Sequence, residues 1–202
     1  MKIDYKTYSL DDKNYIKEET DKKIIVFGDT FNTGMSHYFG WKHRLNGSYK
    51  KTAHFTITKD GKIYNHFKSS YKSNYLDYND WNNKSIVVLL ENFNWLVKDE
   101  EKNKFITWFN DIYNTTTQVF EKRWRSYFHW EQYTEEQLQS SIDLVKKLCA
   151  EHNIPKNVIA HNTKVENLSD FEGILCKGNI DKHFTDLNPS WDFSEFKNKI
   201  EL

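Results

Sequence analysis

The stretch Thr52-Ala53-His54-Phe55-Thr56-Ile57-Thr58-Lys59-Asp60-Gly61-Lys62-Ile63-Tyr64-Asn65-His66-Phe67 sets two alternating runs, rich in β-branched and aromatic residues, on either side of Asp60-Gly61. An Asp-Gly pair accepts the positive φ angles of a tight turn, so the stretch predicts a β-hairpin. Upstream, Ile24-Ile25-Val26-Phe27 is a short apolar run closed by Gly28-Asp29 and reads as a buried strand. Between the two, Met35, Tyr38 and Phe39 at i, i+3 and i+4, followed by Asn46-Gly47, predict a helix over about 34–45. Downstream, the unbroken apolar character of Ser85-Ile86-Val87-Val88-Leu89-Leu90 predicts a central strand.

The remainder is helical or aromatic. Thr134-Glu135-Glu136-Gln137 has the form of a capping box, and Leu138, Ile142, Val145 and Cys149 follow on one helical face. Asn157-Val158-Ile159-Ala160 reads as a short strand leading to His161, and Phe193, Phe196 and Ile200 predict a closing helix after Pro189. An aromatic insert runs from about 95 to 133, and the spacing of Phe105, Trp108, Phe109 and Tyr113 within it is helical. The mixed charges from Asp11 to Lys23 predict a solvated lead-in, over residues 1–22. The expected architecture is one α/β domain, 1–202, with a mixed central β-sheet flanked by helices.

Composition narrows the function classes. The 202 residues carry 29 Lys+Arg against 29 Asp+Glu, so no global basic field exists to draw in nucleic acid or an anionic membrane. No apolar run approaches the roughly 20 residues of a membrane span, and the polar start Met1-Lys2-Ile3-Asp4 has no apolar signal segment. The expected location at synthesis is therefore the cytoplasm. Two cysteines, Cys149 and Cys176, are too few for a disulfide scaffold and form no CxxC pair. His37, His43 and His66 sit in polar contexts and read as surface residues, and His54 reads as a hydrogen-bonded structural residue.

Five strings, in order, resemble the type 2 N-acetylmuramoyl-L-alanine amidases, the family of the small amidase-type lysozyme of T-odd phages and of the animal peptidoglycan recognition proteins. Ile25-Val26-Phe27-Gly28-Asp29-Thr30 resembles the family's first strand, which usually ends in His-His-Thr. Ala53-His54-Phe55-Thr56-Ile57 with Asp60-Gly61 resembles its Tyr-His-Phe hairpin, and Asn82-Asn83-Lys84-Ser85-Ile86 the approach to its central strand. Ala160-His161-Asn162 resembles its Gly/Ala-His segment, and Asn188-Pro189-Ser190-Trp191-Asp192-Phe193 its Cys-Pro-Ser-Phe-Asp ending.

The resemblance implies a zinc site of three protein ligands with one position open for water. Those ligand positions fall here on Gly28, His161 and Asn188, so one of the three keeps its ligand. The assisting Tyr position reads Ala53, and the charge-stabilising position falls at or near Asp186. A lone imidazole holds zinc poorly, so no cofactor is expected unless Asp29, His54, Asp186 or Cys176 completes a shifted set around His161. The leading expectation is a catalytically inactive amidase fold that binds a muropeptide or another small ligand through His161, His54, Asp29, Thr30, Arg44 and Asn188. The alternatives are an active amidase using His161, Asp29 and Asp186, and a structural component of a phage particle with the aromatic insert as its protein-binding interface.

Overall fold

The computed structural model describes residues 1–202 and contains two β-sheets. The main sheet is built from β1 (Ile3–Asp4), β2 (Ile24–Asp29), β3 (Phe55–Ile57), β4 (Ile63–Asn65), β5 (Ser85–Leu90) and β10 (Gly173–Cys176), in the spatial order β1-β4-β3-β5-β2-β10. Only the β3–β4 hairpin is antiparallel; Gly61, at φ +74°, takes the left-handed turn position that the Asp-Gly pair predicts. β2 and β5 run parallel at the centre, from Ile24 opposite Ser85 to Asp29 opposite Leu90. Both strands are buried along their whole length, which is why they read as unbroken apolar runs.

Two helical layers follow from the period-2 alternation of the strands. Ile25, Phe27, Ile86, Val88 and Leu90 face α3 (Glu135–His152) and α5 (Phe193–Glu201). Ile24, Val26, Val87 and Leu89 face α1 (Ser36–His43) and the N-terminal segment. Two short helices, α2 (Asn79–Lys84) and α4 (Lys177–Ile180), flank the central strands. The capping box of α3 is present in both directions, with Gln137 N–H donating to Thr134 Oγ1 and the Gln137 side chain accepting from Thr134 N–H. No helix is long and apolar enough to cross a membrane.

Several expectations are corrected. The aromatic insert is a second, four-stranded antiparallel sheet, ordered β7 (Lys104–Ile106), β6 (Trp95–Asp99), β9 (Tyr127–Glu131), β8 (Val119–Trp124), and the helical spacing from Phe105 to Tyr113 forms no helix. Its turns use Asn103, Asn110 and Arg125 at φ 48°, 65° and 54°. Trp130, on β9, is fully buried, whereas Trp108, Phe109, Ile112 and Phe128 are exposed. The helix expected over 34–45 is shorter, because Leu45 and Asn46 adopt left-handed conformations after α1. Residues 157–160 form an isolated bridge, Val158 to Ile174, rather than a strand. The lead-in is not simply solvated: Asn14, Tyr15 and Lys22 are buried, with Asn14 Nδ2 donating to the Gly47 carbonyl at 3.0 Å. Both cysteines are free and buried.

Lys22 is 2 % exposed and donates to the Ser85 carbonyl at 3.1 Å and the Asn83 carbonyl at 3.4 Å, with no carboxylate partner. Burial, reinforced by Lys72, pushes its pKa down to about 7. The unfolded chain, with a lysine pKa of about 10.4, therefore binds more protons, so stability is full above that value and falls as pH drops toward 7. Lys22→Met is expected to stabilise the fold by about 1–3 kcal/mol at neutral pH. Thermal melts should show the gain shrinking as pH approaches 10, and a destabilised variant at pH 7 would contradict the assignment.

Candidate functional site

The C-terminal ends of β2 and β5 open into a cleft of about 260 Å³ on the α1 side of the sheet. Its walls are aromatic, formed by Trp41, Tyr49, Tyr75 and Phe184. Thr30, His37 and the exposed ion pair Lys51–Asp77 supply polar groups at its edge, and Leu89 lies in its floor. The volume falls just below the roughly 300–1,000 Å³ usual for small-ligand sites, and the rings offer flat faces for stacking.

His37 is fixed by a relay that also sets its tautomer. His66 Nδ1 lies 2.7 Å from the Tyr8 carbonyl and so carries the proton. Its bare Nε2 accepts the Thr56 hydroxyl at 2.8 Å, and Thr56 Oγ1 in turn accepts from His37 Nε2–H at 2.9 Å. Burial lowers the pKa of His37 to about 3, helped by His66, and that of His66 to about 4. His66 is thus buried rather than superficial, and His37 half-buried in the cleft; His43 is exposed, as its sequence context suggests.

Successive residues of β2 point to opposite faces. Gly28 faces the cleft side, where a Cβ would meet Lys177 Cδ at 2.8 Å, Asp186 Oδ1 at 3.1 Å and Leu89 Cδ2 at 3.3 Å. Asp29 points into the protein, 1 % exposed, where Tyr133 Oη donates to Oδ1 at 2.7 Å and Asn94 Nδ2 to Oδ2. Burial, and then the nearby Asp186 carboxylate, raise the Asp29 pKa well above the ordinary carboxylate range. Asp186 is fully buried; its Oδ1 accepts Asp29 N–H at 2.6 Å, and its Oδ2 lies 3.8 Å from Lys177 Nζ. Burial opposes the Lys177 charge, but Asp186 and Tyr75 outweigh it and raise the pKa.

The residues singled out in the sequence are not brought to one point. His161 is exposed in a separate cleft of about 460 Å³ with Trp124 and Pro189, its Nδ1 3.0 Å from Thr163 Oγ1. Asn188 is fully buried, and its Nδ2 donates to the Glu131 carbonyl at 2.9 Å. His54 is fully buried with both ring nitrogens engaged: Nδ1 accepts Val87 N–H at 3.0 Å and Nε2–H donates to the Tyr71 carbonyl at 2.8 Å. Arg44 is exposed, its guanidinium 5.0 Å from the Tyr49 ring centroid at the cleft rim. Thr30 lines the cleft, and Ala53 is buried in the layer beneath it. Cys176 is buried at the end of β10, and burial raises its thiol pKa to about 12. No three His, Cys, Asp or Glu side chains converge as a metal site requires. A zinc ion of the kind the fold implies therefore does not fit the residues as arranged: one ligand position has no side chain, one is a bonded carboxamide, and the remaining imidazole faces another cleft.

Among the cleft residues, sequence reasoning did not single out Lys177, Phe184, Tyr75, Tyr49, Asp77 and Trp41, and it read His37 as a surface residue. Only His37 and Trp41, four apart on one helix, carried a local signal.

Comparison with solved structures finds the N-acetylmuramoyl-L-alanine amidase LysC from Clostridium intestinale URNW at a TM-score of 0.59, 17 % identical, with 100 % of this chain and 99 % of that chain covered. The endolysine N-acetylmuramoyl-L-alanine amidase LysCS from the same organism follows at 0.58 and 17 % identity, covering 100 % and 96 %. A mutant of PlyL scores 0.55 at 11 % identity, covering 100 % and 99 %. Comparison with curated proteins gives no match. At these identities the structures show the fold. The sequence profile of the N-acetylmuramoyl-L-alanine amidases matches residues 19–172, well over half of the chain, which belongs to that family.

Proposed function

We propose that this chain binds a peptidoglycan fragment in the aromatic cleft at the ends of β2 and β5 without zinc-dependent hydrolysis. Its relatives are named as N-acetylmuramoyl-L-alanine amidases, which makes a muropeptide the first ligand to try. The observation that carries the reading is the cleft itself: aromatic walls and a Lys51–Asp77 edge line it, while the ligand positions that the resemblance implies have no side chain, are bonded or are turned elsewhere. Ring faces suit the apolar face of a sugar, and the ion pair suits the carboxylates and amines of a peptide stem.

A soluble disaccharide-peptide titrated calorimetrically into the protein is expected to bind, and Tyr49→Ala to weaken binding about ten-fold, equivalent to about 1.4 kcal/mol. His161→Ala, in the other cleft, is expected to leave affinity unchanged. Equal affinity for wild type and Tyr49→Ala would remove the cleft from consideration.

A second reading, an active amidase with a shifted ligand set, is favoured by family membership. It requires His161, Asp29 and Asp186 to converge in a rearranged state. It is distinguished by release of stem peptides from purified peptidoglycan on zinc addition, abolished by His161→Ala.

A further inference from the structure

Gly28 is buried near the C-terminal end of β2, a central strand that glycine weakens, and its backbone is not in a left-handed conformation that would require it. The reason for glycine is space. A Cβ there would lie 2.8 Å from Lys177 Cδ, closer than ordinary packing allows. Lys177 is itself held in place. Gly178 N–H donates to the Asp186 carbonyl at 3.0 Å, and Asn179 Oδ1 accepts Cys176 N–H at 2.9 Å while its Nδ2 donates to the carbonyls of His161 and Thr163, each at 2.8 Å. From this fixed start the Lys177 side chain runs across Gly28. Its ammonium lies 4.1 Å from the Phe184 ring centroid, 5.2 Å from that of Tyr75 and 3.8 Å from Asp186 Oδ2. Both rings are within cation–π range. Asp186 Oδ2 is buried and has no hydrogen-bond partner, so this ammonium is the positive charge that balances it.

We infer that Lys177 is a resident cation standing in for a metal: its ammonium supplies the positive charge at the cleft floor, and its methylenes close the space beside residue 28 to a coordinating side chain. The exchange explains three positions together. Residue 28 is glycine because the lysine stem passes over it. Asp186 is tolerated in a buried site because a fixed ammonium faces it, and removing one partner of such a pair leaves an uncompensated charge. Phe184 and Tyr75 form the rest of the cage. The inference does not depend on what the cleft binds, since stability alone tests it.

The test is chemical rescue. Lys177→Ala is expected to lower Tm by roughly 10 °C. Methylammonium chloride should then raise the Tm of Lys177→Ala by several degrees more than sodium chloride at the same concentration, and leave wild type unaffected. Lys177→Met, which fills the space without the charge, should also melt below wild type, and adding Asp186→Asn should recover most of the loss. This pair decides the matter if Lys177→Ala fails to fold. Gly28→Ala should cost less in the Lys177→Ala background than in wild type. Lys177→Met as stable as wild type, or methylammonium no better than sodium on Lys177→Ala, would overturn the inference.

Discussion

Glu131→Ala is expected to destabilise the protein by about 3–5 kcal/mol, because it removes a fully buried carboxylate that pairs with a partly buried ammonium at the junction of the two sheets. Glu131 closes β9 and is fully buried. Its Oε1 accepts from Lys59 Nζ and from Tyr113 Oη at 2.9 Å, and its Oε2 accepts Phe93 N–H at 2.6 Å. Lys59 belongs to the hairpin turn of the main sheet and Tyr113 to the insert, so one carboxylate joins both. Glu131→Gln, which keeps an acceptor and loses the charge, should cost about half as much. Urea unfolding measures both. A loss below about 0.5 kcal/mol for Glu131→Ala would mean that the insert is held by apolar contacts alone.

Acid should unfold the protein early. His37, His54 and His66 are all held neutral, with pKa values lowered by burial to about 3, well below the ordinary range, and about 4 respectively. His54 and His66 have both ring nitrogens committed, so a second proton has nowhere to go without breaking a bond. In the unfolded chain each titrates near 6.5, so between about 6.5 and 4 the unfolded state binds more protons and stability falls as pH falls. Three such groups give a limiting slope of about 4 kcal/mol per pH unit. Asp29 works in the other direction, since its raised pKa adds stability as pH falls, but it is one group against three. Against a total stability of about 5–15 kcal/mol, the expected result is a steep loss of Tm between pH 6 and pH 4.5. His66→Gln, which keeps polar atoms in the relay, should flatten that profile if the variant folds; a wild-type Tm constant across this range would contradict the neutral-histidine assignment.

What could be read from the sequence was what is local. The Asp60-Gly61 hairpin, the buried strands at 24–29 and 85–90, the capping box at Thr134–Gln137 and the closing helix each carry their signal within a few residues, and all are present. The insert misled because Phe105, Trp108 and Phe109 fall at i, i+3 and i+4 by coincidence, and because its turns are made by Asn103, Asn110 and Arg125 rather than glycine. β1 and β10 are two and four residues long, too short to show a period. For the site, Gly28 and Asn188 at positions where the resemblance implies metal ligands were legible as residue identity. What stands beside them was not: Lys177 meets Gly28 only because β10, which it follows, pairs with β2, a contact that no pattern within either segment encodes.

Elemental analysis of the purified protein after incubation with excess zinc and exhaustive dialysis bears most directly on the proposal that this chain holds no zinc. The expected result is zinc far below one equivalent per chain, unchanged in His161→Ala. One tightly held equivalent in wild type, lost in His161→Ala, would contradict it.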